Sequence, residues 1–192
     1  MVEGLKIEGF SVVLMLYLEF LSSNQRRISM SYSLICSQGR VGDKTNNTIR
    51  GAMLTAKALE KHLNVKAKVV GTPSPAKNDN WEECLPEASK TLGLLQRETR
   101  NSLLSNSKVL LASNTCSASL ATLPIVVGKY PDVMVLWVDA HGDFNTPDTS
   151  ESGYLGGMVL GAVCGQWNSG YGAGLKPSQV ALIGVHDIDG EE

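Results

Sequence analysis

The segment Asp139-Ala-His-Gly-Asp143 alternates two carboxylates and an imidazole with small residues. In an extended segment the side chains of Asp139, His141 and Asp143 share one side and converge on a common point. Two carboxylates and an imidazole suit a hard or borderline divalent cation such as manganese, and a carboxylate can bridge two metals that jointly activate a water. The same residues also have a plain structural use, in which Asp139 caps a turn, His141 is a solvated loop residue and Asp143 starts an Asx-turn with Asn145. A bare Asp-x-His-x-Asp pattern leaves both uses open.

The elements that must position these residues follow from residue 31 onward, where short apolar runs alternate with helical patterns. Strands are predicted over residues 32–36, 66–70, 108–111, 133–138 and 179–185. Helices are predicted over 48–62, within 86–104, and over 117–130 and 155–164. Strands that are apolar throughout, alternating with helices, indicate a parallel sheet covered on both faces, so the fold class is α/β with three α/β/α layers. In such sheets ligands bind outside the carboxyl ends of the strands. The fourth predicted strand runs directly into Asp139, the fifth into His186-Asp187-Ile-Asp189, and the third into Ser113-Asn-Thr-Cys116. Three strand ends therefore present carboxylates, a histidine and a thiol to one crevice.

The residues after the motif narrow the choice. The stretch from Asp139 through Asn145-Thr-Pro-Asp-Thr-Ser-Glu-Ser-Gly153 resembles the signature segment of the manganese-dependent ureohydrolases, the family of arginase, agmatinase and formimidoylglutamase. The resemblance implies an arginase-like fold and hydrolysis of a linear C–N bond in a guanidino or amidino compound. It also implies two manganese ions, with Asp139 bridging them, His141 serving one and Asp143 the other, and it makes Asp143 the catalytic carboxylate. Asn145, Ser150 and Ser152 match positions that hold a substrate α-carboxylate, a use that suits amide and hydroxyl donors. The segment Ile183-Gly-Val-His-Asp-Ile-Asp-Gly-Glu-Glu192 is similar to the one that receives the α-amino group, which falls to Asp189. Order of elements carries the resemblance over residues 31–192, and motifs carry it over about 108–160 and 180–192.

Three departures bear on chemistry. Cys116 stands where the family has a metal-ligating histidine; a thiolate binds divalent metals but prefers softer ions than manganese, and the alternative is a small buried residue at a helix start. Gly156 stands where arginase has a proton-transfer histidine, and loss of such a group typically costs about 100- to 10,000-fold in rate. The family's later Asp-x-Asp segment has no counterpart before Glu192, so one ion, or none, is expected to be well held. Two functions are thus expected: an arginase-like, urea-releasing hydrolase of a guanidino amino acid, impaired in this chain, or a non-catalytic relative that binds metal or a small amino acid weakly. A hydrolase of another linear amide is a further option.

Composition bounds the rest. The 192 residues, 43% hydrophobic and 19% charged with a formal net charge of −2, suit one soluble globular domain and contain no basic block for nucleic acid. Four scattered cysteines without a CxxC pair argue for a reducing, cytoplasmic setting. Residues 1–30 read as an N-terminal extension and 31–192 as an incomplete arginase-like domain. The apolar run from Phe10 to Leu21 is too short to span a bilayer, and Glu3, Glu8 and Glu19 fit a secretory signal poorly. The resemblance, together with an expected bare sheet edge, points to a homo-oligomer.

Overall fold

The structure, a computed structural model, describes residues 31–105, 107–188 and Gly190. The expected N-terminal extension and Asp189 lie outside the described residues. The elements run β1 (Tyr32–Ser37), α1 (Asn47–Leu63), β2 (Ala67–Val70), α2 (Trp81–Leu104), β3 (Lys108–Ala112), α3 (Ser119–Lys129), β4 (Val135–Val138), α4 (Val159–Val163) and β5 (Val180–Ile183). Short 3-10 turns at Cys116–Ala118 and Leu155–Met158 lead into α3 and α4.

Local chemistry sets the helix ends. Helix α2 begins at Trp81, ahead of Pro86, because the Asn80 side chain accepts the Glu83 N–H at 3.1 Å and Glu82 and Glu83 place negative charge on the first turn. Proline, a familiar helix-start residue, sits here inside the helix. Helix α1 stops at Asn64, whose φ of +53° is the left-handed conformation that closes many helices.

Neighbouring residues of a strand face opposite sides, and β1 uses both. Ile35 packs with Ala88, Leu92 and Leu95 of α2 and with Ala118 and Ala121, whereas Cys36 packs with Met53 and Ala56 of α1 and with Ala112. Three layers result, with α1 on one face of the sheet and α2 and α3 on the other. β1 is central, paired in parallel with β2 and β3. The second half is built on β4 and β5, also parallel, with Trp137 opposite Leu182 and Val138 opposite Ile183. Trp137, 1% exposed, and Val135 lie under Leu120, Leu123 and Val127 of α3 and Val159, Leu160 and Val163 of α4.

The expected α/β fold with parallel strands is borne out, with the strands divided between two sheets. β3 and β4 are not hydrogen-bonded neighbours, so the strands form one sheet of three and one of two. On the second sheet Val135 and Trp137 are buried, whereas Val138 and Ile183 are 52% and 45% exposed. No helix among the described residues is long and apolar enough to cross a membrane.

Candidate metal centre

The carboxyl ends of β3 and β4 come together although the strands do not pair. Cys116 Sγ donates to Asp139 Oδ2 at 3.5 Å. Asp143, 4% exposed, completes a group in which one ligand atom each from Cys116, Asp139 and Asp143 lies within 4.8 Å of the others. Two carboxylate oxygens and a thiol at that spacing can surround a single divalent cation, with the thiol joining as its thiolate. The donor set is one hard-ligand pair plus one soft ligand.

Backbone geometry explains why these atoms meet. The Asp139 N–H donates to Ile183 O at 3.1 Å, and the His186 and Asp187 N–H groups both donate to Ala140 O at 3.0 Å, so the loops after β4 and β5 are stitched together. Asp143 adopts φ +55°, rare for a residue with a side chain, and its carbonyl accepts the Leu160 N–H at 2.8 Å and the Gly161 N–H at 3.3 Å, tying the bend to the start of α4. Gly161 lets this happen, because a Cβ there would stand 2.6 Å from Asn145 O and 2.8 Å from Phe144 O.

The bend alters the expected convergence. Residues 139–141 form bends instead of an extended strand, and the alternation that put three side chains on one side does not apply. His141 is turned outward with its side chain 57% exposed, Nδ1 3.2 Å from Asp139 Oδ1 and Nε2 3.7 Å from Asp187 Oδ2. Its N–H also donates to Asp139 Oδ1 at 3.1 Å, the Asx-turn contact that the plainer use of this segment expects, seated on Asp139. His141 thus touches the cluster through Asp139 and is not one of its three members.

The residues expected to grip a carboxylate occupy the following loop and are engaged within it. Asn145, buried, accepts the Thr149 hydroxyl at 2.9 Å on its Oδ1; Ser150 Oγ accepts the Gly153 N–H at 3.1 Å; the exposed Ser152 Oγ accepts the Tyr154 N–H at 3.2 Å. Asp189 lies outside the described residues. The loop is pinned to α2 by the Trp81 N–H, which donates to Gly153 O at 2.8 Å. Two shallow cavities, one beside Arg40 and Lys90 and one beside Trp81 and Tyr171, contain none of the cluster residues.

Two further side chains bear on this centre, one that the sequence offers as a stand-in for the missing histidine and one with little signal. The first is Tyr154, with the Lys44 ammonium 5.3 Å above its ring. Burial raises the Tyr154 hydroxyl far above its ordinary pKa, and the charges of Cys116, Asp43, Asp143 and Cys84 raise it further, so the phenol stands within electrostatic reach of the metal-ligand group. A Cβ on Gly156 would overlap Tyr154 Cε1 and come within 2.6 Å of Cζ, so the tyrosine ring fills the space that a side chain at 156 would use. The second is Asp43, fully buried in the loop after β1. Its only sequence signal is its place after Gly39 and Gly42 at a strand end, where such sheets carry their sites.

A three-layer parallel α/β fold with acidic and sulfur donors meeting at two strand ends defines an α/β protein with a candidate metal-ligand group. Comparison with known proteins narrows that class: the Arginase family profile matches residues 44–192, and the chain belongs to this family. An N(omega)-hydroxy-L-arginine amidinohydrolase from Streptomyces lavendulae is 50% identical over 156 residues, which cover 81% of this chain and 57% of that protein. An arginase from Bacillus caldovelox is 42% identical over 79 residues, 38% of this chain and 26% of that one. Among solved structures, arginase from Bacillus cereus superposes with a TM-score of 0.69 at 24% identity, covering 85% of this chain and 59% of that chain. Arginase from Bacillus subtilis gives 0.66 at 25% identity, covering 83% and 57%. The chain therefore spans less than two thirds of the length of these relatives.

Proposed function

We propose that this chain carries metal-binding residues of a guanidino amino-acid hydrolase that cleaves a linear C–N bond and releases a urea-type product. The observation that carries the proposal is the meeting of Cys116, Asp139 and Asp143 donor atoms within 4.8 Å at two strand ends. Manganese, the metal of the family, supplies a polarised nucleophilic water when bound. In this proposal Asp139 and Asp143 hold the ion through hard oxygen donors, Asp143 being also the catalytic carboxylate, and the Cys116 thiolate completes the set. His141, whose Nδ1 lies 3.2 Å from Asp139 Oδ1, would be a further ligand of the same ion. The Cys116, Asp139 and Asp143 donors gather around one point, which supports binding of one ion at that group.

Substrate positioning falls to the loop after Asp143. Asn145, Ser150 and Ser152 offer amide and hydroxyl groups to an α-carboxylate, Ser152 being the exposed member, and Asp189 is assigned the α-amino group. A substrate of the N-hydroxyarginine type is favoured over plain arginine by 50% identity to a relative named for it. Hydrolysis of that compound transfers water across the guanidino carbon and yields ornithine and hydroxyurea. All four cysteines are free thiols, which supports a reducing, cytoplasmic setting. A non-catalytic, metal-binding role is the second proposal, favoured by the tyrosine that fills the space at Gly156 where arginase uses a histidine.

The test is to strip the purified chain with a chelator, reload it with manganese, and follow metal content beside product release. Near-stoichiometric manganese with hydroxyurea from N-hydroxyarginine, or urea from arginine, supports the hydrolase. Metal uptake with neither product supports the second proposal, and absence of uptake sinks both.

A further inference from the structure

The loop after β3 that delivers Cys116 is held by the loop after β1, and the hold centres on one buried carboxylate. Asn114 Nδ2 donates to Asp43 Oδ1 at 2.8 Å, to Asp43 Oδ2 at 2.7 Å and to Gly39 O at 3.0 Å. Asp43 also accepts the Val41 N–H at 2.8 Å and the Thr48 hydroxyl at the start of α1. The next residue repeats the tie, since the Thr115 hydroxyl donates to Val41 O at 3.2 Å. Gly42, at φ +102°, brings the same loop so close that a Cβ would stand 3.3 Å from Ser117 Oγ. Asn114 and Thr115, just before Cys116, are therefore bonded to residues 39–43, Ser117 just after it packs against Gly42, and Asp43 and Asn114 are both buried.

We propose that Asp43 is a positioning residue for the metal centre: through Asn114 it sets the Ser113–Thr115 turn so that the Cys116 thiolate faces Asp139. The proposal rests on the metal-binding proposal for Cys116, Asp139 and Asp143. Its physical basis is that a buried carboxylate must keep its hydrogen-bond donors, so the Asn114 amide cannot shift without exposing Asp43 to an apolar surrounding. The turn then has one arrangement, and Cys116 opens the 3-10 turn Cys116–Ala118 from a defined point. Groups that orient metal ligands from behind commonly carry a large share of metal affinity.

The test uses the stripped chain titrated with Co2+ alone, whose sulfur-to-cobalt charge-transfer band reports thiolate ligation. Loss of the band in Cys116→Ser assigns it. Asp43→Asn keeps the shape and removes the charge, and Asn114→Ala leaves the carboxylate but removes its amide partner. Each is expected to weaken Co2+ binding roughly 10- to 100-fold and to lower the band per bound ion, with the double variant no weaker than either single one. Thr115→Val, which removes only the second tie, is a milder lesion expected to move the band the same way, and it serves if Asp43→Asn does not fold. A wild-type chain that binds Co2+ without the band overturns the thiolate-ligand proposal and this one with it. A wild-type band left unchanged per bound ion in the variants overturns the positioning role alone, because affinity lost without loss of sulfur ligation reflects general destabilisation.

Discussion

Cys116 Sγ stands 3.5 Å from Asp139 Oδ2, a side-chain contact between the ends of two strands that share no backbone ladder. Sequence separation of 23 residues is closed here by α3, which starts just after Cys116 and returns the chain to β4. The carboxyl ends of the two sheets are thus bridged by residues whose donor atoms suit a shared cation.

Removing the thiol is the direct probe of that contact. Cys116→Ala is expected to lower manganese affinity roughly tenfold or more while leaving the fold in place, since alanine keeps the small buried volume at the start of α3. Equilibrium dialysis against manganese, with wild type beside the variant, gives the ratio. Equal affinity would show that the two carboxylates act without sulfur.

Gly156 and Tyr154 form a pair that admits one side chain at a time. Gly156→Ala drives a methyl into the Tyr154 ring and is expected to destabilise the protein by about 1–3 kcal/mol. In the background of Tyr154→Ala the same substitution should cost little, so the double variant will be less damaged than the sum of the singles. Urea denaturation of the four proteins checks the non-additivity.

At Gly161 the obstacle is backbone, not a ring. A methyl 2.6 Å from Asn145 O cannot be accommodated by a rotamer change, and the atoms it meets belong to the segment right after Asp143. Gly161→Ala is expected to cost about 1–3 kcal/mol and to weaken manganese binding in the same variant, because the bend at Asp143 must move. Thermal melts with and without manganese test both parts; a variant with wild-type melting and a wild-type manganese shift would contradict them.

Glu98 supplies a pH-dependent term far from the centre. It is buried on α2, and hydrogen bonding to Lys68 from β2, with Arg97 at 3.1 Å, holds its carboxyl below the ordinary value of 4.5 against an opposing desolvation effect. A depressed folded pKa contributes stability above 4.5 that is lost as the pH falls through the folded value. Both cationic partners are largely exposed, so Glu98→Gln is expected to cost only about 1 kcal/mol at neutral pH. Denaturant midpoints should converge with wild type in acid; a gap that persists there would assign the effect to packing.

How much of this was legible in the sequence differs by residue. The apolar runs of β4 and β5 announced parallel strands, and Pro86 announced a helix but not its first residue, because Asn80 capping outweighs the proline signal. Cys116 could be picked out by its place at the end of β3 and by the family resemblance. Tyr154 could be named as a stand-in for the missing histidine, but only folding brings its ring over Gly156.

The sequence by itself determined the alternation of strands and helices, the family, and the set of side chains able to bind a cation, since these depend on local periodicity and residue chemistry. Tertiary structure alone decided which of them meet. Bends at residues 139–141 left His141 exposed beside Asp139, the lack of pairing between β3 and β4 divided the strands into two sheets, and Asp43 found Asn114 across 71 residues of chain. Each is a long-range outcome, set by where buried polar groups could find partners, and no local pattern encodes that choice.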